Sequence, residues 1–192
     1  MRVAIIGATS GIAQEVAKLY ARDGASLFLV ARDAARVEAV AADLRVRGAA
    51  AVEVLVADLA DRSRDASIVA AAGEDVDLVL IAHGSLPDQQ AIDRDPGAQR
   101  EAFDLNATSF VALIAEFANV LERRKRGTIA VIGSVAGDRG RRSNYVYGAA
   151  KAAVHAYCEG LRGRLAESNV KVVLIKPGWV DTPMTAGMKK NP

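Results

Sequence analysis

The sequence predicts a single-domain α/β fold built on a doubly wound parallel sheet, from two observations: six short β-branched apolar runs, and longer helix-period segments alternating strictly between them. The runs at 2–6, 26–31, 52–56, 78–81, 128–132 and 171–175 are almost continuously apolar. That pattern belongs to strands covered on both faces, since a half-exposed strand alternates apolar with polar. The segments 11–23, 34–47, 63–72, 98–125 and 144–168 are rich in Ala, Leu, Glu and Arg and have the length of helices. The stretch 85–97, with Pro87 and Pro96, reads as a loop or an irregular helix start. Alternation implies right-handed crossovers and an open sheet whose ligands bind at the carboxyl ends of its strands.

Length and composition narrow the function. At 192 residues, 51% of them hydrophobic, the chain suits one ordinary core and is short for two domains. Lys and Arg number 25 against 23 Asp and Glu, so no overall field favours nucleic acid, and Arg123-Arg124-Lys125-Arg126 reads as a solvated helix end favoured by the helix dipole. Cys158 is the only cysteine, which excludes an internal disulfide framework and a cysteine-rich metal site; no metal is expected, and a reducing cytoplasm fits best. The amino terminus runs directly into the first strand without a signal pattern, and no segment approaches the roughly 20 apolar residues of a membrane span. A soluble chain is expected, with peripheral membrane contact left open. Because the sequence stops soon after the sixth strand, the substrate-covering carboxyl-terminal region is expected to be incomplete.

Chemistry is concentrated at strand ends. After the first strand comes Gly7-Ala8-Thr9-Ser10-Gly11-Ile12-Ala13, leading into a helix. Glycines there allow a tight turn and close backbone approach to a pyrophosphate, whose charge the helix amino terminus favours; an ordinary strand-to-helix turn is the simpler alternative. Some twenty residues on, Arg32 follows the second strand, where a cation suits the 2′-phosphate of NADP. Asp33 could instead hold the ribose of NAD, but it directly precedes the next helix as a natural N-cap. NADP is therefore expected over NAD.

Tyr147 and Lys151 stand four apart, on one helix face. A nearby ammonium favours phenolate, so the pair predicts a lowered tyrosine pKa suited to acid–base work. Ser134, at the end of the fifth strand, can donate a hydrogen bond to the same carbonyl oxygen that a tyrosine would protonate. Taken singly, each is as easily a surface contact or a turn residue.

Together these residues resemble the short-chain dehydrogenase/reductase family over residues 3–184. The matching elements are the glycine loop, Asp58 after the third strand, Asn106 in the long helix, Ser134, Tyr147 with Lys151, and Pro177-Gly178-Trp179-Val180-Asp181-Thr182. The resemblance implies a Rossmann-type fold and a ketone/alcohol oxidoreductase. Tyr147 would be its acid–base residue, Ser134 would orient the carbonyl, Asn106 would hold a relay water, and Lys151 would also bind the nicotinamide ribose. It further implies cofactor contacts from Gly7, Thr9, Ser10, Gly11, Ile12, Arg32, Asp58, Leu59, Ala82, Gly84, Pro177, Val180 and Thr182.

Two replacements depart from the family pattern. Ile6 and Ala13 stand where Thr and a third Gly are common, and Ala82-His83-Gly84 replaces Asn-Ala-Gly, removing a brace near the cofactor. His83 then reads as structural rather than catalytic.

The segment Asp138-Arg139-Gly140-Arg141-Arg142-Ser143-Asn144 would bring three arginines to the mouth of the site, suited to phosphate or carboxylate. With Asn144 to Gly148 it is similar to short-chain reductases acting on a keto-pentose linked to decaprenyl phosphate, implying a phosphate-bearing or lipid-linked substrate. Solvated arginines, or arginines touching a neighbouring subunit, are the alternative. Gly148, Ala149, Ala150, Ala152, Ala153 and Ala156 form a small-residue surface; the family implies a homodimer or homotetramer through this helix and the one holding Asn106, while packing on the chain's own sheet is the other reading. A cofactor-binding sensor or partner subunit without turnover is the alternative function.

Overall fold

A computed structural model describes residues 1–186. Six parallel strands, β1 (Arg2–Ile6), β2 (Ser26–Ala31), β3 (Ala51–Val56), β4 (Leu78–Ile81), β5 (Gly127–Ile132) and β6 (Val170–Ile175), lie in the order β3-β2-β1-β4-β5-β6. Strand order reverses between β1 and β4, and a crevice opens there beyond the strand ends. Seven helices connect the strands: α1 (Gly11–Arg22), α2 (Ala34–Val46), α3 (Asp65–Ala72), α4 (Gln89–Ile92), α5 (Pro96–Phe103), α6 (Ser109–Arg124) and α7 (Tyr145–Leu165).

The sheet separates two apolar layers. On one side α1 and α2 bury Ala13, Ala17, Val37, Ala41 and Leu44 against Val3, Ile5, Leu27 and Leu29. On the other, α3, α6 and α7 bury Ile68, Phe110, Phe117, Val154 and Cys158 against Ala4, Ile6, Val79 and Val131. Ile6 and Ala13 are fully enclosed, so these two departures from the family pattern serve the core. Burial of the Val, Leu, Ile and Phe side chains contributes about 1.5–3 kcal/mol each before the opposing entropy.

Four expectations need correction. The outer strands are not covered on both faces: β3 exposes Ala51, Glu53 and Val56, and β6 exposes Lys171, Val173 and Ile175, because an edge strand receives less helix cover. Of the two readings of segment 85–97, the irregular helix start holds and the loop does not, for the segment contains α4 and the first residues of α5. Asp95 then caps α5 by accepting from the Gly97 and Ala98 N–H groups, with Pro96 in the first turn. The basic helix end is only partly solvated: the Arg124 side chain is 17% exposed, donates to the Val76 carbonyl and pairs with Asp77. Finally, the continuous run Pro96–Arg124 is long and apolar enough to cross a membrane; 56% of its most apolar window is buried inside the protein, as befits a core helix.

That run is interrupted by a π-helical turn at Asp104–Thr108. Such turns are frequent at functional sites, and this one contains Asn106.

Candidate functional site

One cleft of about 1020 Å³ opens at the carboxyl ends of the strands, and every catalytic and cofactor-contact residue expected from the sequence lines it. Its floor is the glycine turn. Gly7 has φ +89°, and a Cβ there would sit 2.5 Å from the His83 backbone nitrogen, so only glycine allows β1 and the segment after β4 to close together. Asp58 accepts from the Ala60 N–H at 3.0 Å, tightening the turn after β3 while its residue lines the wall.

At the far end of the cleft stand Arg32, Asp33 and Arg36. Asp33 accepts from the Arg36 N–H at 3.0 Å as the cap of α2, the role its position predicts. Arg36 escaped the sequence reading. It lies one helical turn beyond the cap, a spacing that the helix start itself makes legible.

At the opposite end, α7 presents Tyr147 and Lys151 to the cleft beneath Ser134. Lys151 is 3% exposed, donates to the Ile132 carbonyl at 3.2 Å and holds its ammonium 3.9 Å from the centre of the Phe110 ring. Burial pushes its pKa down to about 7. The same Nζ is 5.7 Å from the centre of the Tyr147 ring. Contrary to expectation, the Tyr147 phenol is held above its ordinary value: burial raises it, and Ser134 is the group that draws it back. Desolvation of the phenolate is the larger effect, and the Ser134 hydrogen bond offsets only part of it.

Two neighbours brace this end. Asn106, fully buried, accepts from the Ser85 N–H at 3.1 Å through Oδ1 and donates from Nδ2 to the Ala102 carbonyl at 2.9 Å. Gly84 has φ +138° and a Cβ there would lie 2.7 Å from Asn106 Oδ1, so this glycine also has a geometric cause. His83 replaces the missing asparagine brace with another: its Nε2 lies 2.7 Å from Ser109 Oγ, and its ring stacks on Phe110 at 4.1 Å. Ser109 gives its own proton to the Leu105 carbonyl at 2.7 Å, so His83 Nε2 is the donor and Nδ1 is left as a buried acceptor without a partner among the described residues. Burial lowers the His83 pKa to about 3, keeping the ring neutral.

Below Ser134, His155 occupies the space a Cβ at Gly133 or Gly137 would need, with Nδ1 3.5 Å from Asp138. Lys176 holds Asp138 at 2.7 Å. Of the three arginines expected at the mouth, Arg141 lines the cleft, beside Leu86, Val135, Trp179 and Met184.

The whole chain, residues 1–192, matches the family model described as short chain dehydrogenase. The chain belongs to the short-chain dehydrogenase/reductase family. It is therefore an oxidoreductase of that family, as the arrangement of cleft, glycine turn and Tyr147–Lys151 pair leads one to expect. An uncharacterized oxidoreductase of Mycobacterium tuberculosis is 35% identical over 194 residues, covering 99% of this chain and 77% of that protein. A solved short-chain dehydrogenase from Sphingobium yanoikuyae, in complex with NADPH, is 32% identical with a TM-score of 0.88, covering 95% of this chain and 73% of that one. The bulky-bulky ketone specific alcohol dehydrogenase from Comamonas testosteroni is 28% identical with a TM-score of 0.86, covering 93% and 73%.

Proposed function

We propose that this chain interconverts a ketone and a secondary alcohol with NADP as its cofactor. The observation that carries the proposal is the convergence of Ser134, Tyr147 and Lys151 at one end of the cleft whose other end holds the glycine turn and Arg32. The site fits a dinucleotide: Gly7 leaves the turn no Cβ, α1 points its amino terminus at the loop, and Thr9, Ser10, Gly11 and Ile12 line the floor. Arg32 and Arg36 would hold the 2′-phosphate, and NADPH in the Sphingobium relative supports the choice. Asp58 and Leu59 would flank the adenine, while Ala82, Gly84, Pro177, Val180 and Thr182 would flank the nicotinamide half.

When bound, the cofactor supplies hydride to the carbonyl carbon or takes it from the alcohol. Tyr147 gives its phenolic proton to the carbonyl oxygen, a transfer suited by a phenol that stays protonated at neutral pH. Ser134 would donate a hydrogen bond to the same oxygen, and Lys151 would hold the ribose and, as the ammonium, stabilise the phenolate that forms on Tyr147. Asn106 would position the water that resupplies the proton. Arg141 favours an anionic group on the substrate, phosphate-bearing or lipid-linked compounds included. The open stripe of Ala149, Ala156, Gly160 and Gly163 on α7, where a Cβ added at either glycine meets nothing within 4 Å, supports pairing of two copies through this helix; Gly148 and Ala150 pack inside the chain instead.

The test is NADPH consumption over a panel of ketones by wild type and Tyr147→Phe, with cofactor binding measured separately. Turnover reduced about 10²-fold or more in the variant at unchanged cofactor affinity supports the reading. Tight NADPH binding by wild type with no turnover of any ketone replaces it with a cofactor-binding sensor.

A further inference from the structure

Asn144 stands at the N-cap position of α7, three residues before Tyr147, yet its side chain caps nothing. An asparagine there ordinarily accepts from the second or third backbone N–H of the helix. In this fold the work is done from outside. Gln89 of α4, 3% exposed, reaches across the molecule and accepts from the Val146 N–H at 3.0 Å, a bond buried at both ends. Gln89 is itself fixed, since its Nε2 donates to Asp93 at 3.0 Å and the Tyr145 hydroxyl donates to the same carboxylate oxygen at 3.1 Å. Asn144 is thereby released. Its Oδ1 is buried with no partner among the described residues, and the residue lines the cleft beside Ser143, Arg141 and Tyr147. Leaving a buried acceptor unmade carries a cost that folding alone gives no reason to bear. Rotation of an asparagine carboxamide about its last bond is soft, so a small turn offers the oxygen or the amide nitrogen to a ligand in the cleft.

We propose that Asn144 sets substrate specificity: its carboxamide hydrogen-bonds a hydroxyl group carried beside the reacting carbonyl, so that the preferred substrates are hydroxyketones rather than plain ketones. The inference rests on the ketone-reductase reading. A hydroxyl suits the site because it both donates and accepts, matching whichever end of the amide is turned toward it. A site built to bond a hydroxyl discriminates strongly against the analogue that lacks it, because the protein group is then left unmade.

Two matched probe pairs test this. For turnover, 3-hydroxybutan-2-one is compared with butan-2-one using NADPH; for binding, butane-2,3-diol is compared with butan-2-ol by calorimetry on protein saturated with NADP⁺. Wild type is expected to favour the hydroxylated member in both by about ten- to a hundredfold. Asn144→Ala should lose most of that preference while its kcat/KM for butan-2-one, its NADPH affinity and its melting temperature stay level or rise. Asn144→Ser, which keeps a short hydrogen-bonding group, should retain part of it. An equal preference in wild type and Asn144→Ala, or a large fall in melting temperature with unchanged preference, overturns the proposal. If wild type reduces neither ketone, the reductase reading fails first, and the diol pair still decides: no diol preference overturns the role of Asn144 as well.

Discussion

At the scale of single residues, the site stores unfavourable burial. Lys151 carries a pKa lowered to about 7, against an ordinary lysine value near 10.5 in the unfolded chain. Between those values the unfolded chain binds more protons, so stability should rise with pH across that window, and below pH 7 the whole cost of burying the ammonium is present. Lys151→Met should therefore raise stability at pH 7 by on the order of 3 kcal/mol, with the gain fading toward pH 10.5, while turnover is lost; urea unfolding at both pH values checks it. His83 works at the acid end. Its folded pKa of about 3 lies below the unfolded value, so its contribution is complete above about pH 6.5 and is lost as pH falls toward 3. At pH 5 that loss amounts to about 2 kcal/mol, and His83→Gln should flatten the acid limb by that amount. The sequence marked His83 as structural because Tyr147 already fills the acid–base role. Its partner Ser109, one turn further along the same interrupted helix as Leu105, could be known only once α6 was placed against β4.

Elements meet the site through their ends. α7 delivers Tyr147 correctly only if its first turn is held, and the holding group comes from α4, a helix of one turn within a segment that read as a loop or an irregular helix start. Gln89→Leu strands the buried Val146 N–H and should destabilise the protein by about 1–3 kcal/mol, and Gln89→Glu, which keeps that acceptor but sets a second carboxylate against Asp93, should be rescued only by Asp93→Asn alongside it; thermal and urea unfolding of the variants decide. α2 presents a different case. Its cap at Asp33 was legible because Asp immediately before a helix-forming run has one dominant use, and Arg36 then follows from the same geometry. Arg36→Ala and Arg32→Ala should each weaken NADPH binding by about tenfold while leaving NADH binding within about twofold, a comparison fluorescence titration can make directly.

At the scale of the molecule, the edges of the sheet separate what pattern and packing contribute. The six strands and the larger helices were readable because apolar runs and helix periods are local properties of the chain, and their alternation admits one economical arrangement, the parallel sheet wound on both faces. The glycine turn and Ser134 were readable for a related reason, since each sits at a strand end and the fold sends strand carboxyl ends to one rim, while Tyr147 and Lys151 were readable from their four-residue spacing on one helix face. Assembly belongs to this scale too. Gly160→Trp on the open α7 stripe should convert an oligomer to a monomer by light scattering if two copies pair there, and leave the mass unchanged if they do not. What the sequence by itself determined was thus the order of elements and the identity of groups at their ends, because backbone propensity, capping and side-chain period act over a few residues. Tertiary structure alone decided that the edge strands β3 and β6 stay partly exposed, that Arg124 turns inward to the Val76 carbonyl, that Tyr147 titrates high rather than low, and that Gln89 caps a helix 57 residues away. Each of these depends on which distant groups remove water from a side chain or offer it a partner, and that is a property of the packed chain.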